Sequence, residues 1–250
     1  MQDVMYIDEL QVYMGRPYKV NKYITLYHPT IGEIVNYGER EYYSMVTTLV
    51  ATPSDMMSEL DDMGKNFMEF DAFDLFIMLC RGFSKEQTSI LFGDLDFTKL
   101  GLYTDQKTGE QVLYNEEDNI LIDKLAYLKI CKYLRLIHNL KENRDKAANE
   151  TTRKIMIKMD RDKKKKQSKK DETYHSQLKT LISAMMRYPG FKYKKTELEE
   201  CGIYEFMDAV RGAQIYVSST ALLQGSYSGF CDTSKISSDK FNWLRSTDED

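Results

Sequence analysis

"DKLAYLKICKYLRLIHNLKEN", residues 123–143, decides the fold class. Lys129, Lys132, Arg135 and Asn139 recur at helical spacing and make one narrow polar line, with almost only apolar residues between them. So thin a wet stripe belongs to a helix buried on most of its circumference. The pattern predicts the longest helix of the chain, beginning near Asp123, with other elements wrapped around it.

Those other elements are short upstream. "RPYKVNKYITLYHP" reads as a β element through Val20, Tyr23, Ile24, Leu26 and Tyr27. Thr30 and Glu33 have capping-box spacing, so a helix opens at Ile31 and ends near Gly38. "EREYYSMVTTLVA" is a second helical run, and Pro53 with Ser54 starts a third that closes at Gly64. "DAFDLFIMLCRGF" is a strongly apolar helix capped by Asp71 and closed at Gly82. Around Gly109, "GLYTDQKTGEQVLYN" reads as a β-hairpin with an exposed tip.

Downstream the chain turns polar from Lys141, with a weak apolar patch at Ile155, Met156, Ile157 and Met159. A helical block follows. Leu178, Leu181, Ile182 and Met185 share one face of a helix that Pro189-Gly190 ends, and Thr196 and Glu199 repeat the capping-box spacing. In the next run Ile203, Phe206, Met207, Val210, Ala213, Val217 and Ala221 line one stripe. Ile215, Leu222 and Leu223 lie off it, predicting burial on two sides, with Gly225 and Gly229 breaking the helix and a disordered "STDED" tail. The expected class is α+β, predominantly helical, with a short N-terminal β element and one hairpin. Two organisations fit: an α+β domain (1–140), a charged helix or linker (141–172), a helical block (173–235) and a polar tail (236–250), or one continuous domain.

Composition narrows the function classes. The chain has 250 residues, 42% hydrophobic and 30% charged, the profile of an ordinary folded protein. Its net charge of -4 is not that of a molecule built as a whole to seek phosphate. Fourteen Met and 18 Tyr suggest an adaptable interior or contact surface. The acidic N-terminus has no signal-peptide h-region, and no window is apolar enough for a membrane span.

Motifs for chemistry are missing. Cys80, Cys131, Cys201 and Cys231 have no paired metal-ligand spacing, and the first three sit where Cys behaves as a small hydrophobe in a reducing compartment. His28, His138 and His175 have no ligand partners in sequence, and His28 and His138 read as structural. Neither GxSxG, GxxxxGK[ST] nor GxGxxG occurs, and "GSYSG" at 225–229 reads as a loop after a helix. No catalytic, cofactor-binding or metal residue is assigned, no cofactor is expected, and the partner-binding residues are unknown at this level. "DRDKKKKQSKKDE", residues 160–172, has Lys without interleaved aromatics and is flanked by Asp160, Asp162, Asp171 and Glu172. It reads as a solvated helix or spacer rather than a nucleic-acid reader, with contact to an acidic protein surface as the remaining alternative.

"IDELQVYMGRPYKVNKYITLYHPTIGEIVNYGEREYYSM", "SILFGDLDF" and "FMDAVRGAQIYVSSTALLQGSYSGFCDTSKI" together resemble tail assembly chaperones of long-tailed bacteriophages of Firmicutes-type hosts. The likeness spans most of the chain as overall character, without a diagnostic motif. It implies a non-enzymatic protein of the infected host cytoplasm that keeps the apolar, helix-rich tape measure protein soluble until tube subunits polymerise around it. Implied partners are that protein and the tail tube protein, with a homo-oligomer open and neither membrane nor nucleic acid expected. Many members are made in two lengths by frameshifting. The alternative class is a structural virion, tail or baseplate component.

Overall fold

A computed structural model describes residues 5–105, 109–170, 174–229 and 234–246. It is α+β and mostly helical, 57% helix and 8% strand. A central helix, α7 (Lys124–His138), shares its core with α1 (Glu9–Tyr13), α2 (Ile31–Tyr37), α3 (Glu39–Leu49), α5 (Ala72–Cys80) and α6 (Lys85–Phe92), while α4 (Met57–Asp62) belongs to a second, smaller cluster. They are followed by α8 (Glu150–Lys170), α9 (Gln177–Arg187), α10 (Lys195–Leu198) and α11 (Ile203–Ser228). β1 (Tyr18–Lys19) and β2 (Thr25–Leu26) form an antiparallel ribbon, where a single β element was expected. β3 (Gly101–Thr104), β4 (Gln111–Asn115) and β5 (Ile120–Ile122) form an antiparallel meander, Leu102 opposite Leu113 and Leu113 opposite Ile122. The expected hairpin is therefore real, but β5 adds a third strand, and residues 106–108 at its tip lie outside the described residues.

α7 is capped by Asp123, whose side chain accepts from Ala126 N–H at 2.7 Å. Ala126, Tyr127, Ile130, Cys131, Tyr133, Leu134, Ile137 and His138 are all buried. Its polar line does not face bulk water throughout. Lys132 donates to the Met5 carbonyl at 2.8 Å and Arg135 to the Val50 carbonyl at 2.7 Å, tying the helix to its neighbours. Water instead reaches Leu125 and Leu128 in the first turns. Nor is α7 the longest helix: it has 15 residues against 21 in α8 and 26 in α11. The apolar stripe measured burial, and burial does not set length.

The capping box at α2 forms as spaced: Thr30 Oγ1 accepts from Glu33 N–H at 3.1 Å and Glu33 Oε2 from Thr30 N–H at 2.7 Å. The second expected box does not. α10 starts at Lys195, and it is Glu197 that reaches back to Lys194 N–H at 2.8 Å, leaving Thr196 inside the helix. α6 was not anticipated, although Ser84 and Gln87 form a capping box there. α11 passes through Gly225 and ends at Gly229, so "GSYSG" is mostly helix rather than loop.

One buried cluster runs from Ile7 and Leu26 through α2, α3, α5 and α7 to Leu178, Met185, Ile203, Phe206 and Val210. Residues from both sides of 141–172 therefore share a core. The join is backbone to backbone: Ile31 N–H donates to the Cys201 carbonyl, Gly32 N–H to Glu199, and Ile203 N–H to Pro29. Two glycines permit it. A Cβ on Gly32 would stand 2.8 Å from the Glu199 carbonyl oxygen, and one on Gly202 would strike the His28 ring.

Candidate functional site

His28, His138, Cys80, Cys131 and Cys201 are held in packed surroundings, whereas His175 is exposed. His138 Nδ1 lies 2.7 Å from the Leu134 carbonyl and Nε2 lies 2.6 Å from Tyr42 Oη, so the ring donates at Nδ1 and accepts at Nε2. Burial lowers its pKa to about 4, which keeps it neutral. His28 Nε2 accepts from Tyr204 N–H at 2.9 Å, in the first turn of α11. Burial lowers its pKa too, opposed by Glu205 and Glu33. Cys80, Cys131 and Cys201 are buried free thiols, each pushed up to about 12 by burial, and so are not thiolates near neutral pH. Cys231 lies outside the described residues. Among the described residues no group of three or more His, Cys, Asp or Glu is placed to hold a metal ion. No helix of the described residues is long and apolar enough to cross a membrane.

The lysine-rich segment is not a free spacer. α8 lies along α4, with Ile157 buried among Ala51, Met57, Leu60, Phe67 and Leu75. Asp160 accepts from Ser58 N–H at 3.0 Å and Ser58 Oγ at 2.7 Å, so α8 caps the first turn of α4 from outside. Lys164 Nζ reaches Glu59 at 2.5 Å, Asp160 at 2.8 Å and the Asp55 carbonyl at 2.9 Å. Arg161 pairs with Asp62 at 2.5 Å. Burial alone would raise the Asp160 carboxyl, but hydrogen bonds from Lys164 and Ser58 hold it below its ordinary value. Lys163, Lys165 and Lys166 remain exposed as expected. The acids that seemed to neutralise the run in sequence are joined by α4 acids that only folding brings near. Asp171 and Glu172 lie outside the described residues.

An open surface of different character lies between α9 and α11. Leu181, Ala184, Met185 and Tyr188 form one wall of a groove of about 370 Å³. Val210, Ala213, Gln214, Val217 and Ser218 form the other. The α11 stripe was expected to be buried along its length. Val210 is buried as expected, but Val217 is 53% exposed and Ala221 is exposed as well. The opposite side of α11 is covered by the returning chain: Ser219 Oγ donates to the Lys240 carbonyl at 2.9 Å, and the Trp243 ring stands edge-on to Tyr216 at 5.9 Å. This part of the expected polar tail is therefore packed, while residues 247–250 lie outside the described residues. Neither α9 nor residues 209–228 of α11 contains an Asp or Glu. An apolar segment can enter this groove without desolvating a carboxylate of either wall.

The groove residues carried no motif. Their only signal was an apolar stripe, which is identical for a face that meets the core and one that stays open. Comparison with protein-family models, curated proteins and solved structures finds no match to this chain.

Proposed function

We propose that the chain is a non-enzymatic assembly chaperone of a long-tailed phage, acting in the host cytoplasm. In this reading the α9–α11 groove holds an apolar helix of the tape measure protein. The observation that carries it is the half-open α11 stripe: Val217 continues the line of buried Val210 into solvent, in a groove shared with Leu181 and Met185. Helix-in-groove binding needs such a trough, apolar along its length. The unbranched thioether of Met185 can repack against successive, differing helical segments of a long client.

The test is co-expression with the long helix-rich tail protein, measuring how much of it stays soluble and co-purifies. The wild-type chain keeps the client soluble, and Ala213→Trp, which fills the trough, does not, while its circular dichroism stays that of the parent. A client equally soluble with the Trp variant refutes the groove. The second reading, a structural tail or baseplate component, draws on the exposed Leu102, Tyr103 and Leu121 of the three-stranded sheet. Finding the chain at fixed stoichiometry in purified particles would establish that reading and overturn the chaperone.

A further inference from the structure

α8 presents two faces of similar chemistry, and only one has a partner. On the inner face Met156 and Ile157 are packed, flanked by Arg153, Arg161 and Lys164. What covers it is an acidic amphipathic helix: α4 brings Met57 and Leu60 between Glu59, Asp61 and Asp62. On the outer face Ile155 is 54% and Met159 66% exposed, one helical turn apart. Around them stand the exposed Lys158, Lys163, Lys165 and Lys166, with Asp162 as the one exposed acid in the same span, 155–168. None of these four ammonium groups has an ion pair among the described residues, whereas the three inner cations all do.

We infer that the outer face of α8 is a docking surface for an acidic amphipathic helix of the same kind as α4, with apolar residues meeting Ile155 and Met159 and carboxylates meeting the lysines. Charge complementarity chooses this occupant. In a chain of net charge -4, these four lysines against one carboxylate make a local positive surface. The apolar pair at its upper end is what a phosphate backbone would not use and an amphipathic helix would. The ion pairs of Arg161 and Lys164 fix the rotation of α8 about its axis, so this face is held outward. The site is separate from the α9–α11 groove, and its failure would leave the proposed function standing.

The experiment titrates the full chain against two fluorescent synthetic helices with the same apolar stripe, one flanked by Glu and one by Lys, and against a short DNA duplex. Anisotropy is read at low and high salt. The Glu helix binds, weakening about tenfold with added salt and by at least about tenfold with Lys158→Glu/Lys163→Glu/Lys166→Glu. Met159→Ser weakens it severalfold, and Asp162→Asn strengthens it. Equal affinity for the Glu and Lys helices overturns the proposal, as does Glu-helix binding that survives the triple variant. Duplex binding lost in the triple variant, with no binding of the Glu helix, overturns it in favour of nucleic acid. Ala213→Trp leaves the Glu-helix affinity unchanged, because the groove is a different surface.

Discussion

His138 offers a measurement of how tightly the core closes around α7. The residue is 5% exposed, its ring hydrogen-bonded on both nitrogens as the neutral tautomer, and its pKa is lowered to about 4 by burial against an ordinary 6.5. A base whose folded pKa is depressed leaves stability intact above the unfolded value. As pH falls from 6.5 towards 4, the unfolded chain takes up a proton that the folded chain refuses, and stability is lost; below about 4 this contribution stops changing. At about 1.4 kcal/mol per decade the whole displacement amounts to about 3 kcal/mol, of which about 2 kcal/mol is expressed by pH 4.5. Carboxylates add their own acid dependence, so the test is a difference. His138→Leu/Tyr42→Phe removes the ring and the phenol hydroxyl together, leaving neither orphaned. Urea denaturation at pH 7.0 and 4.5 should show the double variant losing about 2 kcal/mol less than the wild type over that interval. Equal losses would refute the reasoning and mean that water reaches the ring. Tyr42→Phe alone leaves Nε2 buried without its donor and lowers stability at pH 7 by about 1–3 kcal/mol.

Other substitutions probe the joints. Asp160→Ala removes the outside cap of α4 and one partner of Lys164, lowering stability by about 2 kcal/mol, whereas Lys163→Gln, Lys165→Gln and Lys166→Gln each stay within about 0.5 kcal/mol. Equal denaturation midpoints for all four would show that α8 does not dock on α4. Gly202→Ala drives a methyl into the His28 imidazole and displaces it from Tyr204 N–H; thermal melting should register a loss of about 1–3 kcal/mol, and no change would mean that the 28–32 and 199–204 segments are not in contact. Thr30→Ala breaks the α2 capping box for about 1 kcal/mol, with Thr30→Ser restoring most of it in the same melts.

Local rules carried the reading far where the determinants are neighbours in sequence. Thr30 with Glu33, Asp71 before the apolar run of α5 and Asp123 before α7 announce helix starts because each cap needs only the next three residues. α6 was missed although its Ser84–Gln87 box was present, because its apolar face is short. β5 was missed because three residues cannot display an alternation, and its pairing with Leu113, Tyr114 and Asn115 is a tertiary choice. The candidate groove was legible only as an apolar stripe on α11.

What the sequence by itself determined is the α+β, mostly helical class and the burial of the apolar side of α7, since these follow from periodicity, caps and apolar context. What only the tertiary structure decided is which of several equivalent side chains meets a partner. Lys164 and Lys165 are adjacent and chemically identical, yet a rotation of 100° about the helix axis puts one among Glu59 and Asp160 and the other in water. Val210 and Val217 lie on one stripe and line the same groove, yet one is buried and the other is half exposed. Periodicity states that a face is apolar; the path of the rest of the chain determines whether anything covers it.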